Sequence, residues 1–449
     1  MRSLFTGALL LALTACTTPQ IQQDPLADLR DRALTDMTGY QLVSDLTTEV
    51  GARMPGTEAD ARAVKWMEQR FKTMGFDKVW LEPVVFPLWE RKHERAAVIG
   101  NSSQPLHITA LGGSAGGKLS AEVFMVDDFA ALQAVDDAAV QGKIVFIRNR
   151  MDKHIDGAGY GEAVIARAKG AITAEKKGAS ALLIRSIGTD SHRFPHTGMM
   201  SLSAGTPTIP AAALSNPDAD QLERLLVKGA VEVALDIDVG FTGEYRSHNV
   251  IAEVTGSSRP DERIVIGGHL DSWDLGTGAL DDGAGVAITT AAAAFFLHPE
   301  HRPARTLRVI AFANEEQGLL GAKAYARDNE ALLKNHVIAS ESDFGAGRIY
   351  AWETKMARED AAMVARIKHL MAPLGIDYKG NKATGGGPDI IPMAEKGVPV
   401  FRLKQDGTDY FDYHHTADDT LDKIVVEDFN QNIAAWVVML GVLANEWER

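Results

Sequence analysis

From Asn249 onward the sequence alternates β-like apolar runs with helical stretches, and that alternation allows few folds. Candidate strands lie at Arg263 to Gly267, Leu307 to Phe312, His336 to Ser340 and Val398 to Leu403. Helical patterns lie at Val286 to Leu297, Leu319 to Arg327, Asp360 to Met371 and Asn430 to Asn445. Strands joined through helices run mostly parallel, and a parallel sheet must be covered on both faces. The expected fold is therefore α/β, an α/β/α sandwich around a mixed, mostly parallel sheet. The alanine-rich stretch after Gly285 and the run Trp436 to Leu443 are apolar nearly all round, which fits buried cover helices better than membrane spans.

A chain of 449 residues exceeds one ordinary domain. From Pro25 to about Gly75 the pattern is helical, with Val64, Met67, Phe71 and Met74 at three- and four-residue spacings. The Gly- and Pro-rich stretch Gly51 to Thr57 reads as a connector. Val79 to Ile108 is β-like, and Gly112 to Gly117 forms a flexible turn before a second domain at 118–240. That domain alternates short strands (Glu122 to Val126, Lys143 to Ile147, Ala181 to Ile184) with helical stretches such as Tyr160 to Lys177, and supplies no cluster of metal ligands. His192 and His196 share a loop with Arg193 and Pro195 and are expected to be surface side chains.

Sixty Asp and Glu against 46 Lys and Arg give a net charge of −14, and so acidic a surface repels a phosphate backbone. Nucleic acid is not an expected partner. Cys16 is the only cysteine, which removes disulfide scaffolds, cysteine-ligated zinc and iron–sulfur clusters. Any metal must sit on His, Asp or Glu. Met1 to Ala15 join Arg2 to an apolar run too short to span a bilayer, for which roughly 20 residues are needed, and form a secretion signal. Leu13-Thr14-Ala15-Cys16 resembles a bacterial lipobox with Cys16 as the lipid attachment point. Thr17 after it favours the outer membrane, facing the periplasm, with Thr17 to Asp24 as a polar tether. Lipid, and not charge, would hold this acidic chain to a membrane.

Metal-competent residues follow each of the four candidate strands: His269-Leu270-Asp271, Asn314-Glu315-Glu316, Glu341-Ser342-Asp343 and His414-His415-Thr416. In an open α/β sheet the carboxyl ends of the strands form the ligand crevice, so these clusters should meet. A fifth group, Gly278 to Gly285, carries Asp281 and Asp282 among small residues. Histidines and carboxylates without thiolate suit borderline or hard divalent ions, zinc first and manganese or cobalt after it. Two ions are the economical reading, since one Asp can bridge metals about 3.5–4 Å apart while each takes one His and one further acid. Of the adjacent Glu315 and Glu316, one can bind metal while the other faces water as general base.

In this order the motifs resemble the co-catalytic zinc exopeptidases of the aminopeptidase and glutamate carboxypeptidase family, especially its carboxypeptidase Q-like bacterial lipoproteins. The resemblance extends to Gly51 to Thr57, Ser247 to Glu253, Gly385 to Asp389 and Tyr410 to Thr416. Gly142 to Ile147, Lys177 to Ile184 and Ile209 to Ala212 resemble a protease-associated domain. It implies a β-rich protease-associated insert at 118–240 between peptidase segments 25–117 and 241–449, after a signal at 1–15 and a tether at 16–24. It further implies that His269 and Asp343 bind one zinc, Glu316 and His415 a second, with Asp281 bridging and Glu315 as base. His414 is then a neighbour and Asp282 a turn residue. Asp271 is expected to fix the His269 ring and tautomer, and Gly386 and Asp389 to touch substrate, Asp389 at an α-ammonium group. The implied activity is hydrolysis of dipeptides or short peptides, with a homodimer as the candidate assembly. A single-metal glutaminyl cyclase-like enzyme and an inactive peptide receptor are the alternatives on this fold.

Overall fold

The structure is a computed structural model that describes residues 24–100 and 103–447; Cys16 and the leader lie outside them. The first long helix, Glu58–Met74, begins at Thr57, whose hydroxyl accepts the Asp60 N–H, and ends at Gly75 with φ 89°. Its buried stripe of Ala63, Val64, Met67 and Phe71 follows the helical spacing of the sequence.

Strands β1 (Lys78–Ile99), β2 (Gln104–Leu106), β3 (Ile108–Ala110), β4 (Gly117–Val126), β5 (Ile144–Ile147), β6 (Ala181–Arg185) and β7 (Ala211–Leu214) come first. They are followed by β8 (Glu232–Val254), β9 (Arg259–His269), β10 (Arg305–Phe312), β11 (His336–Glu341), β12 (Ile349–Lys355), β13 (Asp377–Gly380) and β14 (Val400–Gln405). The sheet runs β13-β12-β14-β11-β9-β10-β8-β4-β5-β6-β7-β3. The four strands expected from sequence are its parallel centre, β14-β11-β9-β10. Antiparallel β8 and β12 flank that centre and make the sheet mixed.

β1 and β8 pair antiparallel from Lys78↔Glu253 to Ile99↔Glu232, forming a long two-stranded ribbon. One end of β8 pairs with β10 and the other with β4. Beyond β4, strands β5, β6 and β7 continue in parallel, so the segment that follows the ribbon has a sheet of its own. Helix Ala158–Lys176 packs on β6. On the other side, helices Ala284–Ala294 and Val426–Asn445 are buried along most of their length and pack together as cover helices. No described helix is long and apolar enough to cross a membrane.

A buried polar chain ties the central sheet to helix Leu320–Asp328. Glu253 pairs with Arg308 at 2.7 Å, Arg308 donates to the Tyr325 hydroxyl at 2.7 Å, and that hydroxyl meets His336 Nε2 at 2.7 Å. His336 Nδ1 donates to the Leu332 carbonyl at 3.1 Å. Burial, then the Arg308 charge, lower the His336 imidazole to about 3. It is therefore neutral when folded, whereas the unfolded chain takes up a proton below about pH 6.5. The stability from this group is complete above pH 6.5 and drains away as pH falls toward 3, by at most about 1.4 kcal/mol per pH unit. Urea midpoints of wild type and His336→Gln should converge between pH 7 and pH 4; a constant gap would refute the neutral buried imidazole.

Candidate metal centre

The sequence clusters meet at the carboxyl ends of the parallel strands. β9 ends on His269, Glu315 and Glu316 follow β10, Asp343 follows β11, and His414 and His415 follow β14. His269 Nε2 lies 3.0 Å from Asp281 Oδ1 and 3.8 Å from Asp343 Oδ1. His415 Nε2 lies 3.2 Å from Asp281 Oδ2 and 3.0 Å from Glu316 Oε2. Asp281 thus stands between two imidazoles, one oxygen toward each, and each imidazole has a second acid beside it. His414 Nε2 lies 3.5 Å from Asp281 Oδ2, and its ring stacks on His415 with centroids 3.5 Å apart.

Burial pushes the Glu315 and Asp343 carboxyls up, Asp343 to about 7. Burial would lower both imidazoles, yet the Asp281 hydrogen bond holds His269 well above its usual range, and the Glu316 charge does the same for His415. Asp281, against its burial, is held well below the carboxylate range by His269 and the flanking His415 and His414. Glu316 Oε1 has no hydrogen-bond partner. Acids and imidazoles crowded together in this way are stable only with protons or cations between them. Imidazole and carboxylate donors without thiolate fit borderline divalent ions such as zinc.

The surrounding bonds correct the role expected for Asp271. The His269 ring is held through Nδ1 by the Asp271 backbone carbonyl at 2.9 Å, and the Asp271 carboxylate is 3.9 Å away. That carboxylate instead accepts the N–H groups of Glu315 at 3.1 Å and Glu316 at 3.3 Å, because the chain after β10 turns its amides toward the end of β9. Asp282 is more than a turn residue: it accepts the N–H of His269 and of Gly285, each at 3.1 Å. Gly285 is required there, since a Cβ would lie 1.8 Å from the Ser342 carbonyl.

Three positioning residues escaped the sequence reading. Asp419 accepts the N–H of Leu280 at 2.6 Å and of Asp281 at 3.2 Å, and so aims the Asp281 carboxylate. Arg53, in the loop read as a connector, is fully buried and donates to the carbonyls of Leu270, Thr277 at 2.7 Å and Gly278 at 2.9 Å. His196, expected at the surface, is 1% exposed. Its Nδ1 bonds the His414 carbonyl at 2.7 Å and its Nε2 bonds Asp190 at 2.6 Å. It anchors the backbone just before His415, which sits at φ 61°, a conformation few non-glycine residues adopt. The available signals were an arginine inside a Gly-Pro loop and an acid four residues past His415. For His196 the local signal was Asp190 in its own loop, while its bond to the distant His414 had none. His192 is half-exposed, as expected.

A cavity of about 480 Å³ opens on Asp281, Glu315, Glu316, Asp343, His414 and His415. Tyr160, Arg167 and Met199 to Ser201 wall it, so the 118–240 segment shapes the site without supplying a metal ligand. Gly386 and Asp389 are not among the residues lining this cavity. The Gly386 carbonyl accepts the Glu341 N–H at 2.6 Å, and the Asp389 side chain is fully buried, its backbone N–H donating to Glu341 at 2.7 Å. Pro388, between them, does line the cavity, so the loop borders the site.

Comparison with known proteins agrees with this architecture. The profile of "Peptidase family M28" matches residues 249–440. Carboxypeptidase Q of Xenopus laevis is 33% identical over 428 residues, covering 94% of this chain and 88% of that protein. The crystal structure of a peptidase M28 precursor from Shewanella amazonensis SB2B superposes with a TM-score of 0.91 at 46% identity, over 94% of this chain and 97% of that one. A zinc aminopeptidase from Bacillus subtilis shares the fold with a TM-score of 0.67 at 20% identity, over 92% and 96% of the two chains. The crowded His and acid cluster at the sheet's carboxyl edge and this near-full-length likeness lead to one conclusion: the chain belongs to the zinc exopeptidases of peptidase family M28 and is a metallo-exopeptidase.

Proposed function

We propose that the protein hydrolyses dipeptides or short peptides with a pair of zinc ions, and that manganese or cobalt can replace them. One observation carries this reading: the Asp281 carboxylate lies 3.0 Å from His269 and 3.2 Å from His415, and each imidazole is flanked by its own acid. His269 and Asp343 would hold one ion, His415 and Glu316 the other, and Asp281 both. When bound, such a pair supplies Lewis acidity, lowering the pKa of a water and polarising the scissile carbonyl. Glu315 accepts the proton of the attacking water and returns it to the leaving amine. Its carboxyl is pushed up by burial, the direction that strengthens a base. Asp271, through the amides of Glu315 and Glu316, keeps base and ligand in register. The segment 118–240 is assigned as a protease-associated insert, supported by β5, β6 and β7 lying where its motifs predict strands. Elemental analysis combined with a dipeptide panel tests the reading. Two ions per chain and peptide-bond cleavage are expected; one ion, with ammonia released from glutaminyl peptides, would favour the single-metal cyclase.

The same reading places the mature protein at the outer membrane through a lipid on Cys16, supported by Leu13 to Cys16 at the end of an export signal. Cys16→Ser should release a soluble or unprocessed protein. Failure of labelled fatty acid to enter the native protein in its bacterial host would refute the anchor.

A further inference from the structure

The two imidazoles that face Asp281 are supported from different parts of the chain. A metal-binding imidazole keeps one nitrogen for the ion and gives the N–H of the other to an acceptor, which fixes its tautomer and the direction of its ring. For His269 that acceptor is the Asp271 carbonyl at 2.9 Å, two residues along the same segment. For His415 it is the Thr197 carbonyl at 3.1 Å, 218 residues earlier and inside the 118–240 segment. That contact is part of a longer seam. The Thr197 N–H donates back to the His415 carbonyl at 3.1 Å, the Thr189 N–H donates to the Phe411 carbonyl at 3.1 Å, and His196 holds the His414 carbonyl. Thr197 is itself fixed from behind. Arg91 on β1 donates to its hydroxyl at 3.0 Å and to Asp274, in the loop after β9, at 2.9 Å, while Arg167 donates to its carbonyl at 3.3 Å. Gly198 lets the two loops close, since with φ 136° a Cβ there would lie 2.9 Å from His415 Nδ1.

A residue at φ 61°, as His415 is, keeps that conformation only where its surroundings impose it. Here the loop of residues 189–198 imposes it. We infer that docking of this loop makes the metal position at His415 and Glu316, so that His196, Thr197 and Gly198 are positioning residues for one ion of the pair and not for the other. The His269 ring is oriented within its own segment and stays in place when the seam loosens. The two ions are therefore held unequally, and weakening the seam empties the His415 position first. The 118–240 segment gains by this a function besides walling the cavity: undocked, it leaves a chain that holds a single ion at His269, Asp281 and Asp343. The inference rests on the two-ion reading above.

Chelator competition on the zinc-loaded protein, followed by elemental analysis, tests the assignment. His196→Leu removes the bond to the His414 carbonyl, and Gly198→Ala crowds His415 Nδ1. In each variant one zinc should bind about 10- to 100-fold more weakly than in wild type, the loss typical of an outer support, while the other keeps its affinity. His196→Asn, whose amide can still donate to the His414 carbonyl, should recover part of the loss. Combination with Glu316→Gln or Asp343→Asn identifies the position. His196→Leu should add little to Glu316→Gln, which already weakens the same ion, and should strip the remaining zinc from Asp343→Asn. Two zinc ions held as tightly in His196→Leu and Gly198→Ala as in wild type would overturn the inference, as would equal weakening of both ions, which marks general destabilisation. A wild type that binds one zinc at saturation would instead refute the two-ion reading, and the inference with it.

Discussion

Glutamine at position 315 is expected to stop turnover without emptying the metal centre. Glu315 is not among the acids that face the Nε2 atoms of the two imidazoles, which are Asp281, Asp343 and Glu316. Its backbone N–H is held by Asp271, so an isosteric amide keeps its place. What disappears is proton transfer, commonly worth about 10²–10⁴-fold, and dipeptide turnover should fall by that or more. Glu316→Gln should fail differently: its Oε2 lies 3.0 Å from His415 Nε2, so the variant should lose or weaken one ion. Metal content and kcat measured on the same preparations separate the two. Near-native kcat in Glu315→Gln at full metal content would refute the base assignment.

Asp281→Asn should cost more than either, because it removes the carboxylate shared by both imidazoles. We expect metal content to drop well below two ions per chain and peptide hydrolysis to fall to background. Asp419→Asn is the graded control. The Asp419 carboxylate accepts the N–H groups of Leu280 and Asp281, and loss of a supporting residue of this kind typically costs about 10–100-fold in metal affinity. Competition with a chelator ranks wild type, Asp419→Asn and Asp281→Asn. An Asp281→Asn protein that binds two ions as tightly as wild type would remove the bridging role.

The parallel centre of the sheet and the six residues of the proposed chemistry were readable because both are local patterns. Strand and helix periodicity marked β9, β10, β11 and β14, and a motif at the end of each strand carried its own metal-competent side chains. Burial of the cover helices was equally readable, since Val426–Asn445 has no polar face over most of its length. The positioning residues were not readable, because their function lies in bonds between distant segments. Arg53 reaches carbonyls more than two hundred residues away. His196 and His414 meet only when the segment carried on the β1–β8 ribbon folds against the site. Asp271 shows the same limit at short range: its spacing from His269 suggested a ring partner, but the turn after β10 offered its carboxylate two better donors. For Gly386 and Asp389 the residue types suggested a ligand contact, but only the fold shows their backbone bonded to Glu341. The sequence by itself determined which side chains could hold a metal and on which strands they stand, since residue type and periodicity are properties of the chain. Only the tertiary structure decided how those side chains are aimed, which histidine is buried and which arginine faces the cavity, because orientation and burial arise when separate segments close on one another.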